Sequence, residues 1–164
     1  MNKPLWLLFL FLCATITVNA QYSLEDAETL MQEGNYVQAN LAYEYIAFRS
    51  SDQAEITKAK LGRAQVLKKM HAYDRGLEVL NAINISTTEK SLRPSLMYEM
   101  VLLSFLNENY QEAISRGQMG MSIISGSEYA QPIYLLLSLA ALEEFNLDKV
   151  ESFGDRYLAE IKDS

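Results

Sequence analysis

The chain has one cysteine, one histidine, one tryptophan and three prolines in 164 residues. Each scarcity excludes something. Trp6 and Cys13 both stand within residues 1–20, so loss of that segment would remove disulfides and thiolate metal sites together. With His71 alone, a nucleophile has no second histidine to serve as base, and a zinc site would have to be built almost wholly from carboxylates. His71 itself falls in a turn between two helical patterns and reads as a solvated turn residue. No Gly-rich phosphate loop is present; Gly117 and Gly120 interrupt a helical pattern and read as close-packing positions. After residue 20 no apolar run reaches the roughly 18 residues of a membrane-spanning helix. Runs of β-branched residues between the helical patterns are missing too, which removes a parallel sheet from consideration. These residues offer no nucleophile–base pair and no metal site, so the expectation is a chain that is not an enzyme and carries no cofactor.

What is present begins with the first 20 residues. Lys3 is followed by an apolar run over residues 5–12 and a small-residue close at Val18, Asn19 and Ala20. That is the three-part layout of a secretory signal, too short for a permanent span. Cleavage is expected after Ala20, leaving residues 21–164. Leu10 and Cys13 have the spacing of a lipobox, but Leu12 stands where a small residue is required, which disfavours lipidation. Losing Lys3 leaves 13 basic and 21 acidic side chains, a formal charge of −8 that repels nucleic acid and anionic lipid.

The remaining chain repeats. Tyr36, Tyr73, Tyr110 and Leu147 are separated by 37 residues each time, with no gap introduced. Other columns follow in the same register: Ala39, Gly76, Ala113 and Val150; Ile46, Ile83, Gly120 and Tyr157; Ala27, Ala64, Val101 and Ser138; Leu24, Leu61, Tyr98 and Leu135. Each unit reads as two amphipathic helices. In the first, Leu24, Ala27, Leu30 and Met31 make one stripe and Tyr36, Ala39, Tyr43 and Ile46 another, separated by the turn Gly34-Asn35. His71-Ala72, Glu108-Asn109 and Phe145-Asn146 are the equivalent turns, with Gly or Asn expected to take the left-handed conformation. Ser23 with Asp26, and Asp52 with Glu55, have capping-box spacing; Pro94 and Pro132 suit a first helical turn, and Gly126 a helix end.

The segment Gly34-Asn35-Tyr36-x-x-Ala39-x-x-x-Tyr43-x-x-Ile46 resembles the second half of a tetratricopeptide repeat, and Asn109-Tyr110-Gln111-Glu112-Ala113 resembles its most recognisable stretch. The period is longer than the family's usual 34 or so, and the family's Trp and Pro are absent at their columns. The resemblance implies an all-α, right-handed α-solenoid of about four helix-turn-helix repeats, over residues 21–52, 53–89, 90–126 and 127–164. Solenoid hairpins cannot bury an apolar face alone and share a continuous core by stacking.

Two features stand out. Lys58, Lys60, Arg63, Lys68 and Lys69 form a basic segment with no acid between Glu55 and Asp74, expected to be a solvated face balanced by Glu25, Asp26, Glu28 and Glu33. The first helices of units three and four are apolar nearly all round, more than a two-layer stack requires. In the family, first helices line a groove that grips a partner. Carried over by column, that face holds Leu24 and Met31, then Leu61, then Tyr98, Leu102, Phe105 and Leu106, then Leu135, Leu139 and Leu142. The alternative is a groove filled by its own side chains. The expected function is a non-catalytic protein-binding scaffold of the cell envelope, in the periplasm of a Gram-negative bacterium, with an unrelated protein or peptide as partner. The rivals are a self-associating oligomer, packed through units three and four or an exposed flank of the last helix, and a carrier of a small apolar ligand. Mass spectrometry of exported material should show an N-terminus at Gln21 without an acyl group; a chain beginning at acylated Cys13 would place the protein on a membrane surface instead.

Overall fold

The computed structural model describes residues 22–162, which form nine α-helices and one 3-10 turn with no strand among them. The signal reading, the cleavage after Ala20 and Cys13 lie outside the described residues. The helices come in pairs: α1 (Leu24–Gln32) with α2 (Tyr36–Arg49), and α3 (Gln53–Lys69) with α4 (Tyr73–Asn81). After the 3-10 turn Lys90–Leu92 come α5 (Arg93–Leu106) with α6 (Tyr110–Met119), the latter extended past Gly120 by the short α7 (Met121–Ile124). The last pair is α8 (Ala130–Glu143) with α9 (Leu147–Lys162). None of these helices is long and apolar enough to cross a membrane.

Helix starts follow local chemistry. Ser23 accepts the Asp26 N–H through its hydroxyl at 3.1 Å while its own N–H donates to the Asp26 carboxylate at 2.8 Å, a complete capping box. The Ser23 hydroxyl and N–H together hold the Asp26 carboxyl below its ordinary pKa. At Asp52 the expected box is a simpler cap: the carboxylate accepts the Ala54 N–H at 2.9 Å, while Glu55 turns to the Ser50 hydroxyl. Pro94 lies in the first turn of α5 and Pro132 in that of α8, where a missing N–H is tolerated.

The four hairpin turns are built alike. Gly34, His71, Glu108 and Phe145 have φ of +79°, +57°, +60° and +54°, so the left-handed residue recurs every 37 positions. Each donates its N–H three residues back, and the residue after it donates five back: Gly34 to Met31 and Asn35 to Leu30, Phe145 to Leu142 and Asn146 to Ala141, with the same pair at the other two turns. This is the Schellman closure, which satisfies carbonyls left open at a helix end. Gly34 takes the left-handed position as expected, but the expectation for Asn is corrected: in the three turns that have one, Asn35, Asn109 and Asn146 follow the left-handed residue and carry the long closing bond, as Ala72 does in the fourth.

Packing is between neighbours. The first helices touch in a row, α1 to α3 to α5 to α8; the second helices α2, α4 and α6 each pack on their own first helix and on the next pair's, and α9 packs on α8. Apolar clusters straddle successive pairs, the largest joining α5 through α9 around Val101, Ile114, Ile133, Leu137 and Phe153. The small columns mark close approach: Ala27, Ala64, Val101, Ala39 and Ala113 are fully buried. At Gly117 a Cβ would come within 2.5 Å of a Leu137 methyl, so α6 approaches α8 closely there and a side chain would require Leu137 to shift. The fourth pair departs from the register. Ser138 is half-buried and donates to the Val150 carbonyl at 3.3 Å, and Leu147 is 71% exposed rather than seated between hairpins like the three tyrosines of its column. Leu158 and Ile161 on α9 are exposed, as a flank with no helix against it should be. Ala113→Asp should destabilise the fold by about 3 kcal/mol or more, because it places an unpaired charge where α6 meets its neighbours. A denaturation midpoint unchanged by that substitution would mean the aligned columns do not mark packing positions.

Candidate functional site

The face shared by the first helices is read from three columns. Leu24, Leu61, Tyr98 and Leu135 form one; Glu28, Gln65, Leu102 and Leu139 stand four residues later; Met31, Lys68, Phe105 and Leu142 seven later. Residues four and seven apart share one side of a helix. The columns are mixed and charged in the first two units and wholly apolar in the last two.

The structure divides the face the same way. Between α1 and α3 lies an open hollow of about 280 Å³, bordered by Leu24, Glu28, Met31, Lys58 and Gln65 with Tyr43 and Gly62 behind. Leu61 also lines this hollow and is 7% exposed, its side chain part of the core beneath the face. Between α3 and α5 the face is closed by charge. Lys68 Nζ donates to both Glu99 carboxylate oxygens at 2.9 and 2.8 Å, and Gln65 Nε2 donates to one of them at 3.2 Å. The Glu99 side chain is 5% exposed and that of Lys68 21%. A carboxylate taken from water needs such partners, and three donors supply them.

Between α5 and α8 the face is apolar. Tyr98 lies against Tyr129 with ring centroids 5.4 Å apart, and burial, with Glu99 as a lesser contributor, pushes the Tyr98 hydroxyl pKa up. Phe105 meets Tyr110 edge-on at 5.5 Å and, with Tyr98, packs on the main core cluster. Leu102 and Leu106 are half-buried. Leu135, Leu139 and Leu142 are 42%, 40% and 50% exposed, one turn after another on α8. So, of the ten residues expected on this face, the structure leaves three strongly exposed, makes six intermediate and buries Leu61.

The basic segment is tied to other partners than those expected. Arg63 pairs with Glu44 at 2.8 Å and donates to Asn40, Lys68 pairs with Glu99, and Lys60 donates to the Ala82 carbonyl at 3.0 Å. These cations bind α3 to α2, α5 and the end of α4, rather than to the acids of α1. His71, as expected, is an exposed turn residue; its Nδ1 lies 2.7 Å from the Tyr73 hydroxyl. Among the described residues no three His, Cys, Asp or Glu side chains gather as metal ligands would.

Two exposed apolar features escaped the sequence reading. On α2, Val37, Leu41, Tyr45 and Phe48 form a stripe opposite the buried Ala39, Ala42, Tyr43 and Ile46, with Phe48 89% exposed. Their column mates are mostly polar: Asp74, Glu78, Ala82 and Ile85, then Gln111, Ser115, Met119 and Ser122. That contrast was the available signal. The second is Phe145, 91% exposed at the turn before α9. Comparison with family models, curated proteins and solved structures finds no match to this chain.

Glu99→Ala should destabilise by about 3 kcal/mol, since it strands Lys68 and removes a tie between the second and third pairs. Lys68→Met with Glu99→Leu should recover most of that loss, and a double-mutant cycle by chemical denaturation measures it. Equal losses in the single and double variants would show that the pair does not act as a unit.

Proposed function

We propose that this chain is an exported, non-catalytic protein-binding scaffold of the cell envelope, with tetratricopeptide-like hairpins stacked as a right-handed α-solenoid. The first-helix face of the third and fourth pairs is the binding surface, and it takes an apolar segment of a partner protein. One observation carries this reading: Leu135, Leu139 and Leu142 stay 40% to 50% exposed on a helix whose opposite side, Ile133, Leu137, Ala140 and Ala141, is fully buried. A helix apolar on both sides gains nothing in folding from its outer leucines. Half-buried Leu102 and Leu106 extend the same apolar surface onto α5.

A second reading, self-association, is favoured by the outer stripe of α2 rather than by units three and four. The two separate by mass in solution: a concentration-dependent dimer lost in Phe48→Glu indicates self-association. Leu139→Glu and Leu135→Glu should abolish capture of the partner by cross-linking in the native envelope while leaving helicity and cooperative melting nearly intact. Val101→Glu, fully buried, should unfold the chain. Unfolding by Leu139→Glu as thorough as by Val101→Glu would mean that the face is part of the core and no binding surface.

A further inference from the structure

The edge of the fourth hairpin carries an apolar patch that folding does not explain. Phe145 holds a left-handed backbone, φ +54°, and is 91% exposed, so its ring is set in water at a position where a bulky side chain is disfavoured. The same turn position in the other hairpins holds Gly34, His71 and Glu108, none of them a large apolar residue. Phe145 is not alone. Leu142 on one side and Leu147 on the other are 50% and 71% exposed, and Leu142 continues the stripe of Leu135 and Leu139. The patch therefore begins on the first-helix face and wraps over the turn.

Acidic side chains outnumber basic ones around it. Beside it an open hollow of about 320 Å³ is lined by Glu108, Glu112 and Glu144 with Tyr110. Burial pushes the Tyr110 hydroxyl pKa up, and Glu143 and Glu108 add to that push as lesser contributors; Glu143 also adjoins Glu144 in the chain. Glu112 is paired with Arg116 at 2.8 Å, and Glu144 accepts from Gln111. Lys149 borders the adjoining hollow with Glu144 and Asn146. Four carboxylates thus face two cations at this edge.

We infer that the Leu142–Phe145–Leu147 edge docks a partner segment whose apolar residues are flanked by lysine or arginine, the ring of Phe145 serving as anchor and the glutamates as the complement of the partner's cations. The inference rests on the binding reading above and adds the partner's chemistry to it. A second copy of this chain does not fit, because two such edges brought together would oppose glutamate to glutamate. Anionic lipid is repelled for the same reason.

The opposed demands of folding and docking supply the test. A labelled amphipathic peptide of leucine and lysine, and its leucine and glutamate counterpart, are titrated onto the protein by fluorescence anisotropy, with melting followed in parallel. The lysine peptide should bind at least about tenfold more tightly than the glutamate peptide. Phe145→Gly should weaken that binding by about tenfold or more while raising Tm by roughly 3 °C, since glycine relieves the left-handed strain. Failure of the lysine peptide to bind, equal binding of both peptides, or unchanged binding by Phe145→Gly overturns the proposal. So does a concentration-dependent dimer that Phe145→Gly dissolves, which would assign the edge to a second copy. Binding lost in Leu139→Glu but kept in Phe145→Gly retains the first-helix face and removes this anchor; the reverse keeps the anchor and removes the face.

Discussion

Every 37 residues the chain turns back through a left-handed residue, and the packing of the whole molecule depends on that reversal being the same each time. The Schellman closure at Gly34, His71, Glu108 and Phe145 sets each second helix beside its first, and so decides which side of each helix is left to meet the next pair. Only the first of these residues is a glycine. A non-glycine residue in this conformation costs about 1–2 kcal/mol, so the last three turns are held by their hydrogen bonds and by the helices they join. The cost is met in burial, because a fully buried leucine such as Leu103 or Leu137 contributes about 1.5–3 kcal/mol.

The neighbour-only packing makes the joints between pairs the places where the chain can vary. Between the first and second pairs the Tyr43 ring comes so close to Gly62 that a Cβ there would require the ring to shift, and Arg63 reaches back to Glu44. The second and third are joined across the first-helix row by the Glu99–Lys68–Gln65 group. Between the third and fourth, no charged pair among the described residues closes the first-helix face, and tyrosines and leucines meet instead. A buried ion pair is a poor source of net stability but a strict one of geometry. The Glu99–Lys68–Gln65 group ties the second and third pairs in this way, whereas Glu44 of the Arg63 pair is half exposed, and the apolar joint leaves surface that is still exposed.

How much of this was legible depended on whether the signal was local. The hairpins were, because size and polarity at Tyr36, Tyr73 and Tyr110 recur in one register, and each pair of helices was foreshadowed by its own stripe. The turn positions were legible as pairs, though not which member would be left-handed: Asn109 and Asn146 drew attention as residues that tolerate that conformation, while Glu108 and Phe145 adopt it. The partners of the basic segment were not legible. Lys68 and Glu99 lie 31 positions apart, and only the packing of α3 on α5 brings them within 2.8 Å. Glu99 was nevertheless visible as the one acid in an apolar stretch, and a buried acid there demands a cation.

The outer stripe of α2 shows a different failure. A register built from inward columns rewards positions that agree between units, and Val37, Leu41, Tyr45 and Phe48 disagree with their mates. In a repeat chain, agreement between columns reports what every pair must do in order to stack. Disagreement reports what a single pair does alone, and an exposed apolar residue at a column where its mates are polar is the form it takes in this chain. Val37, with mates Asp74, Gln111 and Asp148, and Leu41, with mates Glu78, Ser115 and Ser152, meet that description at one end of the row, and Phe145, whose mates are Gly34, His71 and Glu108, stands exposed at the other. Because each pair contacts only its neighbours, substitutions at one end leave the packing of the other largely undisturbed. The architecture therefore lets one end of the chain acquire a surface without rebuilding the rest.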